Sequence, residues 1–468
     1  MRSLVGLMIM VAAGPIAGGA EMPPQGETEV ADGGIPASGE AWTLERALNR
    51  AMEANPDLIV AKHEFERQEG IRLQLRARLL PSLAASASVS ERALGLVDRP
   101  PSDPLRDPKL PPVPETAVAL PAYDMRVEVR QLVFDGLSSW HQLKRQQLLG
   151  KQSYLTLHAT AMRTASQVRQ GFDAIQMRTE VLAAEKRRVE EFSQVVAWTA
   201  RKHEAGEIPE FELLRAESEL ESARAELADA ARLLSQAEQS FRRLLQLSDT
   251  GGGLRVEGVF VPRPFDLSLD QAISQAMANR PDLRSAELAV EAARRNQLSL
   301  IGGYLPKVEV FASYGARSSY YTWDIERDGW TYGAMGQWNI FDGGAARGRR
   351  VAARAERRTA ETRLTELEHQ IHSRLRELYE GLQQAKVSMD AQRKSVSIAS
   401  RASRDARRLY EEGQTSLEQV LQAGMTHRRA ESRLSEAVFN YNSIVADIEF
   451  SVGGELGDSF KVTEKWKR

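Results

Sequence analysis

The stretch "QWNIFDGG", residues 337–344, decides the reading of this chain. Ahead of it the sequence alternates apolar and polar residues, and behind it lies a long, proline-free run of charged and alanine residues. Such a change of period, from two to about 3.6, marks a strand passing into a helix. The same junction occurs earlier as "QLVFDG", residues 131–136. From Gly136 to Glu204, and again from Gly343 to Glu411, are 69 residues; as helices each would span roughly 100 Å.

The chain is written twice. "TLERALNRAMEANPDL" from Thr43 matches "SLDQAISQAMANRPDL" from Ser268 at an offset of 225, which carries Leu80-Pro81 onto Leu305-Pro306. Beyond the strand regions the offset is 207, with Phe134-Asp135-Gly136 falling on Phe341-Asp342-Gly343 and Gly206 on Gly413. The 18 residues of difference coincide with "DRPPSDPLRDPKLPPVPE", a Pro-rich loop in the first copy. Each copy reads helix, strand, loop, strand, long helix, Gly turn, helix.

After each Gly turn a returning helix carries a seam. Leu213, Leu220, Leu227, Leu234 and Phe241 alternate with Ala216, Ala223, Ala230, Ala237 and Leu244. The second copy answers with Val420, His427, Leu434, Tyr441 and Ile448 against Ala423, Ala430, Ala437 and Ile444. This 3,4 spacing predicts antiparallel coiled coils, and the alanines allow close approach. Two shorter helices stacked end to end are expected to cover each long one.

The strands are expected at about 81–91, 122–134, 306–317 and 328–340. Trp330, Tyr332, Ala334, Gly336, Trp338 and Ile340 fall on one face of the last, and Tyr123, Met125, Val127 and Val129 on one face of the second. Opposite these lie Asp124, Arg126, Glu128 and Arg130. An apolar face backed by a charged one fits a strand dividing lipid from water, the lesser alternative being a half-buried hairpin of a water-soluble domain. Residues 304–341 hold ten of the chain's thirty aromatics, a crowding that favours a membrane-interface belt including Tyr123, Trp330, Tyr332 and Trp338. Four strands cannot close a barrel, and an open edge in lipid leaves backbone groups unsatisfied. Closure then demands several chains, and three would give twelve strands. At each junction Asp135 or Asp342 is expected to cap the long helix, with Gly136 or Gly343 relaxing the bend.

Composition narrows the alternatives. Lys and Arg number 62 against 64 Asp and Glu, a balance without the basic excess of a nucleic-acid binder. Cysteine is absent, so thiolate metal sites, disulfides and cysteine nucleophiles are too. Residues 1–20, with Arg2 before an apolar run, read as a signal peptide, and 21–41 as a disordered leader. The remaining boundaries are a first repeat over 42–250 with a tip turn at 205–210, a linker over 251–264, a second repeat over 265–456 with a tip turn at 412–417, and a tail from 457 to 468.

The export signal, the doubled "PDL", "LLP"/"YLP" and "FDG" elements and the Gly-turned coiled coils together resemble the TolC-like outer-membrane efflux protein family. The resemblance runs from about Trp42 to Leu456. It implies a mostly α fold with a small β part: a homotrimer whose coiled coils form an α-barrel in the periplasm and whose strands form a twelve-stranded barrel in outer-membrane lipid. It also implies a passive exit duct of a tripartite efflux or type I secretion system. Its partners would be a periplasmic adaptor (membrane fusion protein) and an inner-membrane transporter of the RND or ABC type. The turns Gly206, Glu207, Ile208 and Pro209, and Gly413, Gln414, Thr415, Ser416 and Leu417, fall where the family has its periplasmic tip and adaptor docking site. Tyr410 and Glu212 match family tip positions and are expected to hydrogen-bond between neighbouring coils and hold the tip shut. An arginine that can follow the second turn glycine by two residues is missing, that position being Thr415. Gln419 and Gln422 stand where aspartates can ring the entrance constriction, so no acidic, cation-binding ring is expected there.

The rival reading is a periplasmic structural coiled-coil or adaptor protein of the cell envelope. An adaptor carries one helical hairpin, whereas here there are two. His369 and His372 share a helix face without further ligands in register and read as solvated; His427 on the seam reads as a register-setting polar residue. "TGGGL", residues 250–254, lacks the Lys and Ser/Thr of a phosphate loop. No metal, cofactor or catalytic constellation is expected.

Overall fold

A computed structural model of the chain describes residues 41–93, 119–248, 253–318 and 327–453. The expected signal peptide, all but the last residue of the leader, the Pro-rich loop, the C-terminal tail and Tyr320, Tyr321 and Trp323 lie outside the described residues.

Helix α1 (Leu44–Ala54) is capped by Thr43, whose hydroxyl accepts from Arg46 N, and Asn55-Pro56 ends it and starts α2 (Pro56–Ala77). The Asn55 side chain accepts from Asp57 N, while proline at the first helical position gives up only an amide that has no helical partner. Strands β1 (Ser82–Ala93) and β2 (Ala119–Phe134) lead to α3 (Ser138–Glu204) and the returning α4 (Glu210–Leu244). The second copy repeats the order with α5 (Leu269–Asn279), α6 (Pro281–Ser299), a 3-10 turn (Leu300–Tyr304), β3 (Lys307–Ser318), β4 (Arg327–Gln337), α7 (Ala345–Glu411) and α8 (Leu417–Val452). Both long helices have 67 residues.

Each long helix is covered by two shorter ones, α4 and α2 along α3, and α8 and α6 along α7. On α4 the alanine side of the seam is the deepest part, with Ala216 and Ala223 fully buried. A core of Ile371, Leu375, Leu382, Val445 and Ile448 holds α7 to α8, and a second, around Val168, Ile175 and Phe241, holds α3 to α4 and to α1.

The four strands form one antiparallel sheet in the order β1-β2-β3-β4, so the two repeats are joined edge to edge. Ser82 pairs with Arg130 in the first hairpin and Lys307 with Gln337 in the second, so the internal shift carries one register onto the other. One departure from expectation is the end of β4, which stops at Gln337 and not at Ile340. Trp338 leaves the ladder and donates from Nε1 to the Tyr304 carbonyl oxygen at 3.1 Å, fixing the exit of the chain toward α7.

The junctions also differ in detail. Asp135 and Asp342 do not occupy the position that immediately precedes each helix; Leu137 and Gly344 do, both left-handed, following left-handed Gly136 and Gly343. Two successive left-handed residues push the aspartate back along the chain, yet its carboxylate still reaches the first turn. Asp135 accepts from Ser139 N at 2.9 Å and Asp342 from Ala346 N at 2.7 Å. Each carboxylate thus meets an unpaired helical amide at the positive end of the dipole.

Candidate functional site

Two regions carry the chemistry expected of a conduit, the sheet at one end and the paired turns at the other. Cross-strand pairing fixes which sheet residues share a face. On one face stand Leu83, Ala85, Ala87 and Val89, then Val129, Val127 and Met125, then Ala312 and Tyr314, then Tyr332 and Trp330. Leu83, Val89, Trp330 and Tyr332 are all exposed, Tyr332 by 81%. The opposite face carries serines of β1 and the Asp124, Arg126, Glu128 and Arg130 series of β2, with Arg126 on Asp124 at 3.1 Å and Arg130 Nε on Glu128 at 2.9 Å. Pairing the charges along the strand keeps this face charged yet nearly neutral, as a water-filled lumen permits.

Of the aromatic residues read from the sequence, Trp330 and Tyr332 lie on the apolar face, with the Trp330 ring 5.2 Å from that of Tyr314. Tyr314 donates its hydroxyl to Asp328 on the next strand. Trp338 sits beyond the strand at the junction, and the side chain of Tyr123 lies outside the described residues. Phe134 ends β2 just past a bulge, and Phe341 is 88% exposed.

At the far end the two turns have the same backbone. Gly206 and Gly413 both have φ of 73°. Glu207 N donates to Lys202 O at 2.9 Å and Gln414 N to Leu409 O at 2.7 Å, the bonds that close a helix on a left-handed glycine. Glu207 and Pro209 are exposed and Ile208 half-buried; Gln414 and Ser416 are exposed and Thr415 half-buried. Leu417 departs from the docking surface expected of it. It is 3% exposed, packed with Leu421, Phe192 and Leu220 in the core that joins the two coiled coils, so it shapes the turn from beneath.

Tyr410 packs against that core with its ring 4.9 Å from Trp198, edge to face. Burial first, and the Glu212 carboxylate second, push its hydroxyl up to about 12, so it stays protonated and able to donate. No hydrogen bond joins Tyr410 to Glu212 among the described residues. Their interaction is one of charge and proximity within one chain. Lys202 caps the aromatic pair, its Nζ 4.2 Å from the Trp198 centroid. Gln419 accepts from Thr415 Oγ1, and Gln419 and Gln422 are both exposed.

The sequence reading missed the ion pairs that link the coils here. Arg215 of α4 meets Glu418 of α8 at 3.3 Å, and Arg407 of α7 meets Glu191 of α3 at 2.7 Å. Glu418 thus has a cationic partner from the other repeat. Only the periodic positions of such residues are visible in sequence, and both pairs span about two hundred residues. His427 lies 3.6 Å from Glu431, and His369 and His372 are exposed on α7. No group of three metal-binding side chains occurs among the described residues.

Comparison with known proteins agrees with this layout. The family described as "Outer membrane efflux protein" matches residues 47–246 and 272–454. No curated protein matches the sequence. Among solved structures, the Campylobacter jejuni CmeC outer membrane channel is similar with a TM-score of 0.76 at 18% identity, over 89% of this chain and 87% of that one. The outer membrane protein VceC of Vibrio cholerae gives 0.74 at 14% identity, over 88% and 96%. The open state of the Neisseria gonorrhoeae MtrE outer membrane channel gives 0.72 at 19% identity, over 88% and 89%. With most of its length matched by the family and its fold shared with such channels, the chain belongs to the outer membrane efflux protein family: it is an outer-membrane efflux channel whose coiled coils extend into the periplasm.

Proposed function

We propose that three copies close one duct, with twelve strands in the outer membrane and a helical tunnel below, and that it conducts passively. The observation that carries this is a contact each repeat needs and one chain supplies only once. In the chain β2 pairs with β3, and α3 packs along α6. Their counterparts under the internal shift, β4 with β1 and α7 with α2, have no comparable packing among the described residues. Both β1 and β4 are free edges, and exposed apolar side chains remain on α2 (Val60, Leu73) and on α7 (Val351, Val387, Ile398). A neighbouring copy offers the missing partner for each, and the ring closes when the rotation returns to its start.

In this reading the turns at 205–210 and 412–417 receive a periplasmic adaptor, and an inner-membrane transporter of the RND or ABC type supplies the energy. The chain itself performs no chemistry. Tyr410, Glu212 and the pairs Arg215–Glu418 and Arg407–Glu191 hold neighbouring coils together at the tip, and adaptor engagement loosens them. Membrane fractionation with gel migration before and after heating tests the duct: a detergent-requiring species that migrates as an oligomer until heated supports it, and a water-soluble monomer rejects it in favour of a periplasmic coiled-coil protein.

A further inference from the structure

Roughly 24 Å along α3 from its tip end, a cavity of ≈ 300 Å³ opens between the two coiled coils. Arg187 and Arg188 of α3, Arg404 and Arg407 of α7 and Arg428 of α8 all line it, with His427 beside them. Two carboxylates share the lining: Glu191, paired with Arg407 at 2.7 Å, and Glu431, 3.6 Å from the His427 ring. Arg187 and Arg404 have no carboxylate partner among the described residues.

The deepest of these groups keep buried donors without acceptors. Arg188 is only 6% exposed; Glu185 and Glu226 both meet its Nη1, but its Nε has no partner, nor has Nη2 of Arg428. The two guanidinium groups approach the same Phe192 ring, at 5.6 and 4.9 Å from its centroid. Burial first, and the charge of Arg188 second, draw Arg428 down to about 10, with Glu185, Glu191 and Glu219 partly offsetting the fall. Buried N–H groups without acceptors are costly, and so are like charges held together in a low dielectric. Water could satisfy the donors but would leave the charges of Arg187 and Arg404 without a counter-ion. An oxyanion answers both, and the planar fork of arginine suits its geometry.

We propose that this cavity binds a free tetrahedral oxyanion of the phosphate class, which ties α3 of the first repeat to α7 and α8 of the second. The cavity has room for the ion with several waters, each needing about 30 Å³. Its contribution is to the seam between the coils, independent of which adaptor or transporter the duct engages.

The test uses the full chain, purified in detergent without phosphate. Inorganic phosphate is titrated by calorimetry and by thermal unfolding, with chloride at matched ionic strength as the reference. The expected result is saturable binding and a higher Tm than chloride gives. Arg404→Gln, at an exposed position, is expected to weaken binding about tenfold, the loss of one charge-assisted hydrogen bond, and Arg428→Gln by at least as much. Arg401→Gln, an exposed residue about one turn away, is expected to bind as the parent does. No effect beyond chloride, or equal affinity in parent and Arg404→Gln, overturns the site and leaves an adventitious ion only; Arg404→Gln decides the matter even if Arg428→Gln does not fold. None of these readouts depends on the chain forming a trimeric duct.

Discussion

Arg263 donates from a single Nη2 to both carboxylate oxygens of Asp173, at 3.0 and 2.9 Å, and so fastens the segment between the repeats onto α3. The same segment is held by Asn442, which accepts from Arg263 N and donates to Val261 O, and by the Tyr441 and Tyr379 hydroxyls on the carbonyls of Arg263 and Leu267. An irregular stretch has its backbone groups satisfied by side chains of α7 and α8 in place of a ladder.

Burial raises Asp173 above its ordinary value of 3.8, and Arg263 partly offsets the rise. A carboxyl raised in the folded state favours folding fully below its ordinary value and loses that contribution as pH climbs through the folded one. Arg263→Met removes the offsetting charge and raises Asp173 further. The variant is expected to lose about 3 kcal/mol near neutral pH, and progressively less toward pH 4. Thermal unfolding across pH checks this; a loss independent of pH would show that the charge pair is not responsible.

At the tip, Tyr410→Phe keeps the ring on Trp198 and removes only the hydroxyl, while Glu212→Ala removes the carboxylate beside it. Both are expected to raise single-channel conductance in planar bilayers, because each loosens the same contact. Their double variant is then expected to exceed neither single variant by much. Conductance equal to the parent's in both singles rejects the latch.

Gly302 stands against the junction of β2 and α3: a Cβ placed on it would lie 2.5 Å from the Asp135 carbonyl oxygen. Gly302→Ala therefore forces the 3-10 turn away from the junction. The expected cost is about 1–3 kcal/mol from overpacking, read as a lower unfolding temperature of the assembled protein. An unchanged temperature contradicts the close approach.

What sequence made legible was whatever repeats. The offsets of 225 and 207 matched each strand of one hairpin to its counterpart in the other, and the two hairpins have the equivalent register. The Leu and Ala seam foretold α4 on α3 because heptad spacing is local. Trp338 was misplaced because its alternation continues after the ladder stops, and only the distant Tyr304 carbonyl shows why. The arginines around the cavity each sit on a charged helix face and look solvated singly; Arg188, Arg404 and Arg428 meet only when three helices pack. Asp173 with Arg263 is of the same kind, invisible to any period.

Copies that pool their strands would pair in one register, which the duplication fixes. Val127 of β2 pairs with Tyr314 of β3. Under the internal shift Ala334 takes the place of Val127 and Val89 that of Tyr314, so Ala334 of one copy should face Val89 of the next, and Met335 should face Ser88. Neighbouring pairs alternate in geometry across an antiparallel ladder, so one of the two suits a disulfide. The chain has no cysteine of its own, which leaves the background clean. Oxidative cross-linking of Ala334→Cys/Val89→Cys and Met335→Cys/Ser88→Cys in membranes is the most direct measurement. Covalent dimers and trimers from at least one pair, with none from the out-of-register control Ala334→Cys/Ala85→Cys, are the predicted result; no cross-linking from either pair, or equal cross-linking from the control, contradicts the account.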